Sequence, residues 1–302
     1  MSSARASERR NKWLVSGPPL LYLVVFFLIP TLIMVFASFR TPGEFGGLAP
    51  LTDESGKLDL NVDSYVRFFT ETVYAQVFLK SVWYALVTTL ACLLLAYPLA
   101  SLIAKSPKRY RDLLLLLVIL PFWSNFLIRI YAWMIILGPN AALARLVNGV
   151  LGWFGAGPVP LLFSSFAVLV CLVYVHLPFM VLPLYANLEK HDQALLDAAQ
   201  DLGAGAWQRF WRITFPLSLP GVYAGAALVF IPALGIFAIP DILGGPNDTL
   251  IGNLIKQQFL ETRDWPFGSV LSIVLTVAAL ALAGFAAWVG RRQSGGGGPA
   301  RA

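Results

Sequence analysis

The residues with the most distinctive types and spacing lie in two short runs, 195–203 and 213–216, between two long apolar segments. The first run reads Leu-Leu-Asp-Ala-Ala-Gln-Asp-Leu-Gly, and after nine further residues the second reads Ile-Thr-Phe-Pro. Good helix formers over 193–202, followed by Gly203 and Gly205, predict two short helices joined by a glycine elbow, and Pro216 is expected to close the loop. A flat alanine face on the first helix would let another protein approach closely. The pattern therefore indicates contact with a partner protein, and the alternative is an ordinary amphipathic connector on a membrane surface.

Side chains that could support catalysis or hold a cofactor are not arranged for either task. The sequence has no glycine-rich phosphate-binding loop followed by Lys and Ser or Thr, so the chain itself is not expected to bind ATP. His176 and His191 have no Cys, Glu or second His at ligand spacing. Cys92 and Cys171 lie inside apolar runs, where packing explains them. We therefore predict no catalytic residue, no metal site and no cofactor bound by this chain.

Composition places the chain in a membrane. Hydrophobic residues make up 58% of the 302 residues, charged residues make up 13%, and the mean hydropathy is +0.71. Soluble domains have an apolar share of only about 45–50%. A membrane-spanning helix needs about 20 apolar residues to cross a hydrocarbon core of about 30 Å. We therefore predict an all-α integral membrane protein with six spans, at 14–36, 78–104, 113–137, 161–186, 217–243 and 267–289.

Prolines are expected to bend or break three of the predicted spans. Proline removes a backbone hydrogen bond and its ring crowds the preceding turn, so kinks or broken turns are expected at these positions. The prolines are Pro121 in the third span, Pro178 and Pro183 in the fourth, and Pro232 and Pro240 in the fifth.

Lysine and arginine residues predict the orientation. Four segments, assigned to the same side of the membrane, carry 14 of the 22 Lys and Arg residues. They are the N-terminal arm (1–13), the loop 105–111, the loop 187–216 and the C-terminal tail (291–302). By the positive-inside rule that side is the cytoplasm, so we expect both termini there and one transmembrane domain over 14–290. The glycine-rich tail is expected to be disordered. The net charge of +6 comes without any nucleic-acid-binding motif, so no nucleic-acid partner is expected.

The runs at 195–203 and 213–216 resemble the cytoplasmic loop of permease subunits in ATP-binding-cassette (ABC) importers. Further stretches resemble the polyamine permeases of the spermidine/putrescine type, and most closely the permease of the putrescine importer. These stretches are Leu-Pro-Phe-Trp-Ser-Asn-Phe-Leu-Ile-Arg-Ile-Tyr-Ala-Trp at 120–133, Leu-Val-Phe-Ile-Pro-Ala-Leu-Gly at 228–235, Ile-Pro-Asp-Ile-Leu-Gly-Gly-Pro at 239–246, and 253–266, which ends Glu-Thr-Arg-Asp-Trp-Pro.

The sequence departs from that family in three places. Asp197 stands where the family usually has Glu, and Phe215 stands where it usually has Leu, so charge and apolarity are kept. Ile236 stands where an acidic residue is expected in putrescine permeases, which removes a carboxylate from the expected pathway. The resemblance assigns the contact with an ATPase to Asp197, Ala198, Ala199, Gly203, Ile213 and Pro216 of the loop 187–216, which we call the coupling loop.

The resemblance implies a type I ABC importer permease fold in the inner membrane. It also implies a cytoplasmic ATPase dimer that carries ATP and Mg²⁺, an external solute-binding protein and a second permease subunit, either a different chain or a second copy of this one. The expected cargo is a polyamine such as putrescine or spermidine. Alternatives are another organic cation, an opine-like or amino-acid-like solute, or thiamine. A self-contained secondary transporter would need intramembrane carboxylates, which the predicted spans almost lack.

Charged and aromatic residues within the spans are candidates for the transport pathway. We hypothesise that Arg129 and Asp241 lie near one another as a gate or a tie between helices; alternatively, the arginine snorkels to the interface and the aspartate caps a helix. Aromatic faces attract ammonium groups without trapping them, although most aromatic residues in spans simply pack. The candidates are Trp123, Asn125, Arg129, Tyr131, Trp133, Tyr174, Phe237 and Asp241.

Overall fold

The computed structural model describes residues 16–52, 59–155 and 157–294. The predicted arm at 1–13 lies outside these residues, as does the tail from residue 295, and the last helix continues past the predicted start of the tail at 291. The regular structure is helical. The helices are α1 (Ser16–Ala37), α2 (Asp63–Thr70), α3 (Thr72–Lys105), α4 (Lys108–Ile119), α5 (Phe126–Ile136), α6 (Ala142–Trp153), α7 (Ser165–Leu188), α8 (Gln193–Asp201), α9 (Ala206–Gly235), α10 (Ala238–Leu243), α11 (Ile251–Leu260) and α12 (Trp265–Ser294).

Five helices among the described residues are long and apolar enough to cross a membrane. They are α1, α3, α7, α9 and the part of α12 up to Gly284. The pair formed by α4 and α5 meets the same test when the two helices are taken together, so up to six spans are present. The six predicted apolar segments therefore all correspond to helices, although the third is broken into two helices and the fifth has different bounds.

The third predicted span is broken. A 3₁₀ turn at Leu120–Trp123 ends α4, Ser124 is extended, and α5 starts in a direction 92° away. Pro121 begins that turn because its fixed φ and missing N–H suit a first helical position and do not suit a helix interior. Asn125 then caps α5, its side-chain oxygen accepting a hydrogen bond from the Leu127 N–H at 2.8 Å. The segment is a bent pair, either a broken span or a re-entrant loop, and the break lies at Pro121, where the sequence predicts a kink or a broken turn.

The fifth predicted span starts earlier and ends earlier than 217–243. Helix α9 begins at Ala206, inside the predicted loop, and stops at Gly235, because Ile236 is extended with ψ at 138°. A Cβ atom on Gly252 would lie 2.5 Å from the Gly235 carbonyl oxygen and 2.8 Å from that of Ile236. The start of α11 therefore approaches the broken end of α9 as closely as only a glycine allows. Pro240 lies beyond the break, in the short helix α10.

Pro216 does not close the coupling loop, contrary to the sequence interpretation. A π-helical turn at Phe210–Thr214 precedes it, and α9 passes through both without a break. The same arrangement occurs in α1, where a π turn at Val24–Leu28 precedes Pro30. A proline ring clashes with the carbonyl four residues earlier, and in both helices that carbonyl belongs to the wider π turn. The π turn therefore lets a proline sit inside a long helix.

Residues Gln76–Asn253 and Val277–Ala302 form one compact part of the chain. Its centre is the pair α7 and α9, which pack along each other. One apolar cluster joins this pair to α3 through fully buried side chains such as Cys92, Ile103 and Met180. A second cluster joins α7 to α5, α6 and α10 around Ile130 and Ile239. The coupling loop connects the two central helices directly.

Residues Met1–Ala75 and Leu254–Thr276 form the other compact part. Arg40 is 2% exposed, and its Nη2 donates to the carbonyl oxygens of Ala49 and Pro50 at 2.6 and 2.5 Å. Arg67 pairs with Asp264 at 3.1 Å and lies 4.3 Å from the ring centre of Phe267. Each arginine thus fixes a segment of chain that lies outside the helices.

Gly221 tests the packing of α7 on α9. A Cβ atom there would lie 2.7 Å from Asn187 Cβ and 3.1 Å from the Pro183 carbonyl oxygen, neither of which moves without its backbone. We expect Gly221→Ala to lower the free energy of unfolding by about 1–3 kcal/mol, the usual cost of overpacking. Gly149→Ala in α6 is the matched control, because nothing lies within 4 Å of its added Cβ. It should be neutral or stabilise the protein by up to about 1 kcal/mol. Equal melting temperatures for the two purified variants would contradict this account.

Candidate coupling loop and transport pathway

The first arm of the coupling loop is α8, with a cap at each end. Asp192 accepts a hydrogen bond from the Ala194 N–H at 2.9 Å and starts the helix. At the other end Gly203 has φ at +81°, and its N–H and that of Ala204 donate to the carbonyls of Gln200 and Ala199, both at 2.9 Å. This is the Schellman arrangement that glycine favours. The predicted elbow at Gly203 is confirmed, whereas Gly205 has φ at −65° and precedes α9 in an extended conformation.

The second arm is the first part of α9. Arg209 Nη1 donates to the Gln200 side-chain oxygen at 2.7 Å and so links the two arms. The rings of Phe210 and Phe215 lie 5.4 and 6.2 Å from that of Tyr97 on α3. Trp207, which the sequence interpretation passed over, stacks on Phe210 at 6.2 Å. The second arm is therefore anchored to α3 by aromatic packing.

The outer face of the elbow is open to a partner. Asp197 and Ala198 are exposed, whereas Ala199 is partly buried, so the two alanines do not form one flat exposed face. Leu202 is 88% exposed and lies one turn beyond Ala198 on the same face of α8. A leucine this exposed at the end of a helix can be covered by a partner protein. Among the other predicted loop residues, Ile213 is partly buried and Pro216 is exposed.

A cavity of about 440 Å³ lies between the coupling loop and the end of α3. Its lining mixes both signs of charge, with Lys105, Glu189, Asp197 and Arg209 among its residues. Glu189 also forms an ion pair with Arg111 of α4. The coupling loop is therefore tied to α4 as well as to the two helices that it connects.

Three of the pathway candidates surround the break between α4 and α5. Trp123 is 75% exposed at the end of the 3₁₀ turn, and Asn125 is the cap of α5. The guanidinium of Arg129 lies 5.2 Å from the ring centre of Phe122 and 5.8 Å from that of Phe126. These rings give the arginine a cation–π environment, which lowers the cost of its position within an apolar segment.

Asp241 lies on α10, which packs against α5. Its carboxylate accepts a hydrogen bond from the Asn253 side chain, which also donates to the Phe237 carbonyl at 2.9 Å. The helices that carry Arg129 and Asp241 are thus neighbours, and direct pairing of the two side chains stays a prediction.

The remaining aromatic candidates differ in surroundings. Trp133 and Tyr174 meet edge to face at 5.6 Å and pack on the buried cluster around Ile130. Tyr131 and Phe237 are about half exposed, at 48% and 47%. The first two therefore have an evident packing role, whereas the second two keep a face free for contact.

Asp248 is a site residue that the sequence interpretation missed. Its side chain is 5% exposed, and Oδ1 accepts hydrogen bonds from Tyr84 Oη at 2.7 Å and Ser165 Oγ at 2.6 Å. Oδ2 accepts from the Gly245 N–H at 2.9 Å, and the Lys80 ammonium lies 3.7 Å from Oδ1. The signal in the sequence was a single acidic residue after Gly-Gly-Pro-Asn. Its partners lie on α3 and at the start of α7, so spacing alone could not reveal them.

These contacts keep Asp248 ionised. Burial by itself disfavours the charged carboxylate, but the hydrogen bonds from Ser165, Tyr84 and Gly245, together with the charge of Lys80, outweigh burial and lower its pKa below the ordinary 3.8. Asp248 therefore carries a buried negative charge at neutral pH.

Histidine and cysteine residues in the described part of the chain lie apart. His176 is buried, with Nδ1 2.8 Å from the Leu172 carbonyl oxygen of its own helix. Cys92 and Cys171 are buried free thiols. Within 16–52, 59–155 and 157–294, no three His, Cys, Asp or Glu side chains gather in a way that could hold a metal ion.

Residues 96–295 match the model of a protein family described as the inner membrane component of binding-protein-dependent transport systems. The chain belongs to this family. It is a transporter permease subunit of the inner membrane, with several membrane-spanning helices. The matched residues include α7, the coupling loop and α9.

Several curated proteins are similar over most of their length. The spermidine/putrescine transport system permease protein PotB of Escherichia coli (strain K12) is 45% identical over 258 residues, which cover 85% of this chain and 89% of PotB. PotB of Haemophilus influenzae is 44% identical over 259 residues, covering 85% of this chain and 86% of that protein. The inner membrane ABC transporter permease protein YdcU of E. coli is 28% identical over 276 residues, with 88% and 85% covered.

Solved structures share the fold at much lower identity. A chain of the crystal structure of a bacterial ABC transporter involved in alginate import has a TM-score of 0.68 at 20% identity, covering 96% of this chain and 99% of that one. A chain of the alginate transporter in complex with its pentasaccharide-bound periplasmic protein gives 0.72 at 19%, covering 95% and 96%. The predicted all-α fold of a type I ABC importer permease is confirmed.

The pKa of Asp248 predicts how stability depends on pH. Because its folded-state pKa is below the ordinary 3.8, the stability from its charge is present above that value and is lost as pH falls through the lower folded pKa. The difference in unfolding free energy between wild type and Asp248→Asn should therefore stay constant from about pH 8 to about pH 5 and shrink only below about pH 4. Melting temperatures of both proteins across this range measure it. A difference that already shrinks near pH 6 would mean that Asp248 is protonated close to neutrality.

Proposed function

We propose that this chain is the permease subunit of an ABC importer for a polyamine such as putrescine or spermidine. The observation that carries the proposal is the 45% identity to the spermidine/putrescine permease PotB over 85% of this chain. The resemblance at 120–133, 228–235, 239–246 and 253–266 supports the same cargo class.

The proposed partners are a cytoplasmic ATPase dimer, a second permease subunit and an external solute-binding protein. The family description names binding-protein-dependent transport, and one structural neighbour is a complex with a periplasmic protein. The exposed face at Asp197, Ala198 and Leu202 suits the ATPase. ATP and Mg²⁺ would bind to that partner, and the distribution of Lys and Arg supports a cytoplasmic position for the coupling loop and both termini.

The proposed coupling is mechanical. A push on the elbow reaches α7 at Leu188 and α9 at Ala206, and these helices pack along each other. The Gln200–Arg209 hydrogen bond and the aromatic contacts with Tyr97 let the two arms move as a unit. Closure of the ATPase dimer would then tilt the central helix pair and switch the side to which the pathway opens.

Transport by the assembled complex tests the cargo. In vesicles that contain all subunits, ATP-dependent uptake of radiolabelled putrescine is expected to saturate and to be inhibited by spermidine. Thiamine should not compete, because its ring system differs from a linear diamine. Competition by thiamine alone, or uptake that does not depend on ATP, would overturn the proposed cargo or the importer class.

Gly203→Val tests the coupling loop. Valine at a φ of +81° is a backbone outlier, with a cost of about 1–2 kcal/mol for a left-handed conformation, so the elbow should change shape. We expect ATP-driven uptake to fall about tenfold or more, the factor that 1.4 kcal/mol represents, at unchanged membrane abundance. Gly155→Val is the matched control, because Gly155 has φ at +73° and, like Gly203, has nothing within 4 Å of an added Cβ. Equal loss of uptake in both variants would show general misfolding and remove the support for coupling at Gly203.

A further inference from the structure

A cavity of about 520 Å³ lies where α10 meets the segment 244–250. Its volume is within the range of about 300–1,000 Å³ that small-molecule sites occupy. Asp241 and Asp248 lie in its wall, together with Phe163, Thr249 and Asn253. The sequence interpretation named Asp241 alone of these residues.

Charge separates this cavity from two others of similar volume. Two aspartates and no lysine or arginine occur among its lining residues in the described part of the chain. The cavity at the coupling loop mixes Lys105 and Arg209 with acidic residues. Another cavity of about 480 Å³, beside α6, is lined by residues without charge, among them Leu137 and Asn148. The cavity at α10 is the one that suits a cation.

The wall of this cavity is held in place before any ligand arrives. The Gly245 N–H and the side chains of Tyr84 and Ser165 fix the Asp248 carboxylate. A Cβ atom on Gly245 would lie 2.6 Å from the Phe163 carbonyl oxygen, so two stretches of backbone meet at the cavity edge. Asn253 holds Asp241. A prearranged wall spares the ordering cost that a flexible site would incur on binding.

Asp248 already forms an ion pair with a primary alkylammonium group. Lys80 carries such a group on a four-carbon stem, and its Nζ lies 3.7 Å from Asp248 Oδ1 and 5.8 Å from the ring centre of Tyr84. An aminobutyl chain with a terminal ammonium is also the chemical unit of a linear diamine. Lys80 therefore displays, within the protein, the contact that a diamine end would make.

We propose that the cavity at α10 binds one ammonium end of an organic diamine or polyamine, with the carboxylates of Asp241 and Asp248 as counter-charges and Phe163 as the aromatic residue of its wall. The choice of ligand class rests on the proposed function. Lys80 shares Asp248 with the ligand, so its charge weakens binding and limits how long the cargo stays. The cavity is thus a transient binding site that binds a cation and releases it.

A cysteine in the wall tests the proposal without measuring transport. Thr249 lines the cavity and is exposed, so Thr249→Cys can be modified in the full-length chain in nanodiscs, where both membrane faces are open to reagents. Trp153→Cys on α6 is the control, because the native Trp153 side chain is 92% exposed. The ratio of the rate with aminoethyl methanethiosulfonate, a cation, to that with sulfonatoethyl methanethiosulfonate, an anion, should be about tenfold higher at Thr249→Cys. The native Cys92 and Cys171 are buried and give the background rate.

Charge variants and ligands decide the result. Asp248→Asn and Asp241→Asn should each lower that ratio by about threefold or more, and Lys80→Met should raise it. Putrescine should slow the cationic reagent at Thr249→Cys, whereas 1,4-butanediol, which has the same length without charge, should not. Equal ratios at the two cysteines, or equal protection by both compounds, would overturn the proposal. If Asp248→Asn does not elute as a single species, Asp241→Asn and Lys80→Met decide.

The labelling result and the uptake result separate the two proposals. One outcome is that Thr249→Cys prefers the cationic reagent and is protected by putrescine, while the complex does not take up putrescine. That outcome would support the proposed cavity site and refute the proposed cargo. Normal putrescine uptake with no charge preference at Thr249→Cys would support the proposed cargo and refute the proposed cavity site.

Discussion

The close approach of α7 and α9 is the constraint on which the rest of the larger compact part depends. Gly221 leaves no room for a side chain between α9 and the Pro183–Asn187 stretch of α7, so the two backbones are fixed relative to each other. In an apolar solvent, helices gain little from hiding apolar surface, and close backbone contact through small residues becomes the main attraction. The coupling loop starts at the end of α7 and continues into the first part of α9. The position of the elbow is therefore largely a consequence of helix packing, to which the loop adds its caps and its contacts with α3 and α4.

Charged residues in this apolar chain organise the segments that are not helical. Arg40 holds the backbone after α1, Arg67 holds the turn before α12, and Asp248 holds the segment between α10 and α11. Backbone groups in such segments have no ladder partners and must be satisfied by side chains or water. A charge that accepts or donates several hydrogen bonds at once does this with one residue. Each of the three residues is thus structural first, and at Asp248 that structural role also leaves a negative charge beside a cavity.

The sequence predicted those features that depend on local patterns. Long apolar runs identified α1, α7 and α12 within a few residues, and Gly203 identified the elbow, because span length and left-handed φ are local properties. The break after Gly235 was missed because it depends on α11 packing against the carbonyls of Gly235 and Ile236. Pro216 was taken as a stop because nothing in the sequence shows a π turn. Asp248 was missed because its partners are remote in the sequence: Ser165 lies 83 residues away, Tyr84 lies 164 residues away, and Lys80 lies farther still. Contacts of this range are set by the tertiary structure.

The continuity of α9 through its π turn has a geometrical consequence. With 30 residues at 1.5 Å each, this helix is about 45 Å long, whereas the hydrocarbon core is about 30 Å thick. Roughly a third of the helix therefore extends beyond the apolar layer. This part moves as a lever arm when α9 tilts about its contact with α7. A tilt of about 10° displaces the end of an arm of about 15 Å by roughly 3 Å. A small rotation of α9 within the bilayer therefore displaces the elbow, and the number of residues in this one helix sets how far the elbow moves.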